Sequence, residues 1–289
     1  MFATMQRILV RSFVVVSLGS GLAFGGMASA NVFEAADALF AARGEGRSQI
    51  AAARAEYKRV LATVSGTDAV YAVQQLGKLA YYEGELVLPG GDGPSTARTA
   101  VFQDCREFVE SIASIEAGRT QYHYWKLLCT AFWVRHAPRV TALFQIAGIR
   151  RYFDSVVGDD LDLRAELALD SRYLGGGLYR VLAGVYRDDL ASLLRSSLPN
   201  REVALEWIDR SLAAAAFPGD PNSGDMYYAN VRGRGDILIR LGRTAEAREL
   251  LTAGIAEIDE LIAGDALPEG LEAESRGEQQ IMRTLLGGL

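Results

Sequence analysis

Leu241-Gly242-Arg243-Thr244-Ala245-Glu246-Ala247, followed by Leu250, Leu251, Gly254, Ile255, Ile258, Leu261 and Ile262, is the stretch that decides the fold class. From Ala247 onward apolar residues recur at three- and four-residue steps, the spacing that lines one face of an α-helix. Gly242 stands where a preceding helix needs a terminating residue, so the stretch reads as the end of one helix, a tight turn and a second helix starting near Thr244. The same period recurs at Ile50, Ala53, Tyr57, Val60, Leu61 and Val64, and strand signals are nearly absent. Turns are marked by Gly66-Thr67-Asp68, Ala117-Gly118 and Gly158-Asp159, and longer loops by Pro89 to Ser95, with Ser95 as a helix cap, and by Phe217 to Asp225. The pattern predicts helices over 33–43, 47–64, 68–86, 96–116, 119–136, 139–156, 160–169, 177–195, 201–215, 223–241, 244–263 and 270–286. The expected fold is all-α.

Paired antiparallel helices with a period of about 34 residues mark tetratricopeptide arrays. The segment from Tyr228 to Asp259 resembles that family: Gly235 falls where the first helix needs a small residue, Leu238 follows on the packing face, Gly242 closes the helix, and Ala247 and Leu251 sit on the second helix. Any larger side chain at Gly235 or Ala247 would push the two helices apart. Gly254 stands where alanine is usual and Arg234 where leucine is common. The resemblance implies a tetratricopeptide-like α-solenoid of antiparallel helix pairs over residues 31–289.

The first thirty residues read differently. Arg7 and Arg11 precede an apolar, small-residue run from Ser12 to Met27, and Ala28-Ser29-Ala30 follows, the layout of a secretory signal cleaved after Ala30. The glycine-interrupted run is shorter than the roughly 20 apolar residues of a spanning helix, which makes an uncleaved anchor the alternative reading. No cysteine follows the site for lipid attachment. The expected location is therefore the periplasm. Loss of the leader removes two of the 30 basic residues and none of the 36 acids, leaving 28 against 36 and a net charge of -8. An acidic chain without a clustered basic face is not expected to bind nucleic acid.

Ala165 to Tyr186 reads Ala-Glu-Leu-Ala-Leu-Asp-Ser-Arg-Tyr-Leu-Gly-Gly-Gly-Leu-Tyr-Arg-Val-Leu-Ala-Gly-Val-Tyr. This is similar to the helix, Gly-Gly turn and arginine-bearing helix of the T-component family that accompanies TRAP-type solute transporters. Ala36-Asp37-Ala38-Leu39-Phe40, Tyr57 and Leu241 to Ala247 extend the likeness, while Gly177 stands where that family often has proline. The resemblance implies a periplasmic protein working beside a solute-binding protein and an importer of organic acids or apolar solutes, without catalysis. A homo-oligomer is compatible with it.

Gly175-Gly176-Gly177 runs into a helix whose first turn carries Tyr179 and Arg180, and free amides at a helix start attract anions, so a carboxylate-bearing ligand is one occupant of this turn. The alternative is a tight structural turn with Arg180 paired to an acid such as Asp170. A phosphate-binding loop is excluded by the missing lysine and hydroxyl. The helix from Arg119 to His136 carries Tyr122, Tyr124, Trp125, Phe132 and Trp133 on more than one face, which offers Tyr122, Trp125 and Trp133 as cavity-lining candidates beside a core-filling reading. His123 and His136 are thirteen residues apart and form no metal pair. No nucleophile elbow, zinc helix or Cys-x-x-Cys is present. Neither an enzyme nor a cofactor is expected. Two functions stay open: a solute-handling binding module, or an envelope scaffold that docks peptides or proteins in a groove.

Cys105 and Cys129 are expected to form a disulfide, the alternative being two unpaired, buried small side chains. Their midpoint, position 117, falls in the Ala117-Gly118 turn, so in an antiparallel helix pair the two lie at the same height, and export would place them in an oxidising compartment.

Overall fold

The computed structural model describes residues 32–88, 94–195, 197–215, 227–267 and 271–289. The leader therefore lies outside the described residues, as do most of the Pro89 loop and the Phe217 loop. Eleven α-helices occur among the described residues: α1 Glu34–Ala41, α2 Arg47–Leu61, α3 Gly66–Tyr81, α4 Thr96–Val109, α5 Arg119–His136, α6 Arg139–Val156, α7 Tyr173–Arg187, α8 Arg201–Ala215, α9 Tyr227–Arg240, α10 Thr244–Ala263 and α11 Glu272–Gly287. They form no strand, only an isolated antiparallel bridge between Val157 and Leu163. This is an all-α helical-repeat fold, as the apolar period predicts. Contacts group Phe33–Leu289 as one unit.

The repeat character is clearest in α9 and α10. Ala247, Leu251, Gly254 and Ile258 form the buried stripe of α10. A Cβ on Gly235 would stand 2.5 Å from Leu251 Cδ2, so the two helices close over a position that holds no side chain. Gly242, at φ +77, ends α9: its N–H donates to Ile239 O at 2.9 Å and that of Arg243 to Leu238 O at 2.9 Å, the paired bonds of a Schellman cap.

The pair α4 and α5 is antiparallel and covalently tied. Ser95 caps α4 by accepting from the Arg98 N–H, and its own N–H, with the Thr99 hydroxyl, donates to His136 O at the far end of α5. Cys105 and Cys129 are both buried and disulfide-bonded, with Cα atoms 5.8 Å apart. Position 117 does lie in the intervening turn, a short 3-10 segment over Glu116–Gly118.

Three elements depart from the sequence expectation. The α-helix predicted over 96–116 ends at Val109 and gives way to 3-10 turns at Glu110–Ile112 and Glu116–Gly118. The helix predicted over 160–169 does not form. Asp160 and Asp162 accept hydrogen bonds from the backbone N–H groups of Asp162 and Leu163, competing with helical bonds, and only a 3-10 turn at Ala165–Leu167 remains. The helix predicted to run from 177 to 195 stops at Arg187, where Asp188 turns extended and its side chain caps a separate 3-10 turn, Asp189–Leu193. Beyond α3 the chain continues as a π-helical turn, Tyr82–Val87, which α11 packs against: a Cβ on Gly277 would lie 2.9 Å from Leu86 Cβ. Arg43 and Glu274 form an ion pair from opposite ends of the chain, and the Tyr81 hydroxyl donates to Glu278 at 2.5 Å.

Candidate functional site

The glycine turn at the start of α7 is a packing device. Leu174, Gly175 and Gly176 are successively left-handed, at φ 48, 58 and 74, and the Gly175 and Gly176 carbonyl groups face α8 and α9. Asn230 Nδ2 donates to Gly175 O at 3.1 Å and Ser211 Oγ lies 2.9 Å from Gly176 O, both side chains being wholly buried. A Cβ on Gly176 would meet Ser211 Cα at 2.7 Å, and one on Gly177 would meet the Tyr124 ring at 2.6 Å. The turn itself therefore has no room for a ligand. Neighbouring protein atoms occupy the space that the glycines leave.

Arg180, one helical turn further on, faces elsewhere. It lines a cavity of about 140 Å³ bounded by α5, α6, α7 and α9, with Tyr81 and Ile208 contributed by α3 and α8. Leu127, Phe132, Ile149, Phe153, Val181 and Ile237 supply apolar wall. Four guanidinium groups join them, from Arg135, Arg180, Arg187 and Arg232. Three have acidic partners: Arg135 lies 3.6 Å from Glu85 and 3.5 Å from Asp188, Arg187 lies 2.5 Å from Asp236, and Arg232 lies 2.8 Å from Glu278. Arg180 has none among the described residues. It donates to Asn230 Oδ1 at 2.9 Å, to the Tyr124 hydroxyl at 3.1 Å and to Leu174 O at 3.4 Å, all neutral acceptors. Asp170, which the sequence offered as its partner, pairs instead with Arg172 at 3.8 Å.

Four carboxylates, those of Glu85, Asp188, Asp236 and Glu278, match the four arginines in number, but none of them reaches Arg180, whose charge meets only neutral acceptors. Burial first, then the nearby Arg135, pushes the Arg187 guanidinium down to about 10, although Asp236 acts the other way. Arg232 is likewise opposed by burial, but Glu278 and the neighbouring groups overcome it and hold the guanidinium above its ordinary value. Burial also works against the Glu85 carboxylate, yet the His136 hydrogen bond at 2.9 Å and the charge of Arg135 leave its pKa below the usual range. An anion entering beside Arg180 would meet a guanidinium that no carboxylate occupies, next to apolar wall where charge-assisted hydrogen bonds are strongest.

Of the candidate site residues offered by the sequence, the structure brings only Arg180 to this cavity, joined by Phe132 from the aromatic set of α5. Trp125 and Trp133 are buried in the core, Trp125 donating to the Tyr173 hydroxyl at 3.2 Å and Trp133 lying under Arg106. Tyr122 is half-buried against Lys126, and Tyr179 packs on Trp207 with ring centroids 5.2 Å apart. Gly175, Gly176 and Gly177 shape the turn behind Arg180. Sequence reasoning missed Arg187, although its seven-residue spacing from Arg180 sets both on one face of α7. It also missed Asn230 and Ser211, polar residues on helices whose burial no local pattern signals. Burial, with Lys126 and Arg119 nearby, lowers His123 to about 4, and no group of three or more metal-binding side chains occurs among the described residues. The chain matches no protein-family model, no curated protein and no solved structure.

Proposed function

We propose that this chain is an exported binding protein that holds an organic acid, or an otherwise apolar solute bearing one anionic group, in the cavity beside Arg180. The reading extends to a periplasmic accessory role beside the solute-binding protein of a TRAP-type transporter, on the resemblance of Ala165 to Tyr186. The observation that carries it is Arg180 itself, a partly buried guanidinium held in place by Asn230 and Tyr124 with no carboxylate on it. Apolar walls would take the ligand body and Arg180 its charge. Export is supported by the leader-like first thirty residues and by the Cys105–Cys129 disulfide, a bond rare in reducing compartments. No helix among the described residues is long and apolar enough to cross a membrane.

Titration calorimetry with a series of monocarboxylates of rising chain length tests the proposal. Binding is expected, weakened about 10- to 100-fold by Arg180→Ala, the effect of losing one or two charge-assisted hydrogen bonds. Arg180→Lys, which keeps the charge and loses the fork, should fall between. Equal affinity in all three chains, with far-UV circular dichroism unchanged, would remove the anion-anchoring role.

A further inference from the structure

Helix α6 is packed on one side only. Ala142, Ile149, Phe153 and Val156 are its buried residues, whereas Val140, Leu143 and Phe144 are 65, 50 and 86 % exposed. These three fall within five positions and so stand together as a ridge little more than one helical turn long. Arg139 precedes the ridge, and Arg150 and Arg151 follow about 16–18 Å further along the axis. Between Arg139 and Arg151 there is no acidic residue, in a chain whose acids outnumber its bases 36 to 30. The one acid of α6, Asp154, is held by Arg195 at 2.8 Å and reached by Arg150 only at 3.9 Å. Arg139 and Arg151 have no ion pair among the described residues.

Charge argues against a second copy as the occupant. Two such ridges laid antiparallel would set Arg139 of one copy against Arg150 and Arg151 of the other, and a parallel pairing would set like against like. A protein partner would need a groove matching the protruding Phe144, whereas a fluid bilayer accepts a convex ridge of any shape. We infer that α6 docks this protein on an anionic lipid surface, with Val140, Leu143 and Phe144 entering the acyl boundary and the three arginines meeting headgroup phosphates. Each signal is weak alone, and together they give reversible attachment. The opposite side of α6 supplies Ile146, Ile149, Tyr152 and Phe153 to the cavity wall, so docking sets that wall at the bilayer.

Co-sedimentation of the chain from Asn31 onward, which contains the whole Phe33–Leu289 unit, decides the matter. Vesicles of three parts phosphatidylcholine to one part phosphatidylglycerol should bind it in a salt-sensitive way, and pure phosphatidylcholine at least tenfold less, since each arginine adds about fivefold on an anionic surface. Phe144→Ser should lower binding about tenfold, and the triple change of Arg139, Arg150 and Arg151 to Gln about a hundredfold, both without loss of helical circular dichroism. Absence of binding to the anionic vesicles, or binding unaltered in both variants, would overturn the inference. So would self-association in sedimentation velocity that Phe144→Ser abolishes, which would make α6 a contact between copies.

Discussion

Between α9 and α10 the chain turns in three residues, of which Gly242 alone is left-handed; between α6 and the regular part of α7 it takes twenty, with Leu161, Ala168, Leu174, Gly175 and Gly176 all left-handed. The short turn is satisfied by its own neighbours, through the bonds that Gly242 and Arg243 donate to α9. The long connection is satisfied from a distance. Arg195 donates to Val157 O at 2.9 Å and Gly158 O at 2.7 Å, the Tyr186 hydroxyl donates to Leu161 O at 2.8 Å, and Ser211 and Asn230 hold Gly175 and Gly176. A left-handed residue outside glycine costs roughly 1–2 kcal/mol; at Leu161 and Leu174 this surround over-determines the backbone, whereas exposed Ala168 is held by the local bond of its N–H to Ala165 O at 3.1 Å. The locally built region is a repeat, and the remotely built one sets the wall that carries Arg180.

The contrast is broken most severely at Gly176. Gly176→Ala should cost about 4 kcal/mol, combining the left-handed penalty with a clash against Ser211 backbone that cannot swing aside. Denaturant melts would measure it, and a loss below about 1 kcal/mol would mean that the turn is as tolerant as an ordinary loop. In the repeat-like pair the corresponding change, Gly235→Ala, meets the Leu251 side chain, at Cδ2 and Cγ, rather than backbone and gains helix propensity, so about 1–2 kcal/mol is expected. Were the two losses equal, the distinction between side-chain and backbone obstruction would fail. The finest comparison pairs two exposed left-handed sites. Ala168→Gly should stabilise by about 0.5 kcal/mol and Gly242→Ala destabilise by about 1 kcal/mol, because neither changes packing and each acts through backbone freedom.

What the sequence revealed follows the same division. The α9–α10 hairpin was legible because every determinant of it, from Gly235 to Ile258, sits inside the hairpin. The level cysteines were legible because symmetry about position 117 depends only on the turn between them. Residues 160–169 misled because Leu161, Leu163, Leu167 and Leu169 carry an apolar pattern, while the side chains that unwind it, Asp160 and Asp162, act through bonds that composition does not display. Arg180 was visible as a cation near a glycine turn. Its orientation toward the cavity was not, because Asn230, fifty residues later, and Tyr124, fifty-six earlier, fix it.

The contact of α11 with the first third of the chain bears on how this protein is made. An open array gains its units in the order of synthesis and frays from either end. Here Arg43 waits for Glu274, 231 positions later, and Tyr81 for Glu278. The earliest helices leave the ribosome long before the partners of their buried charged and hydroxyl groups exist, and loop closure over that separation is slow. A nascent chain arrested before Glu272 should therefore be readily cut by protease near Arg43, and become resistant only when the last helix is released.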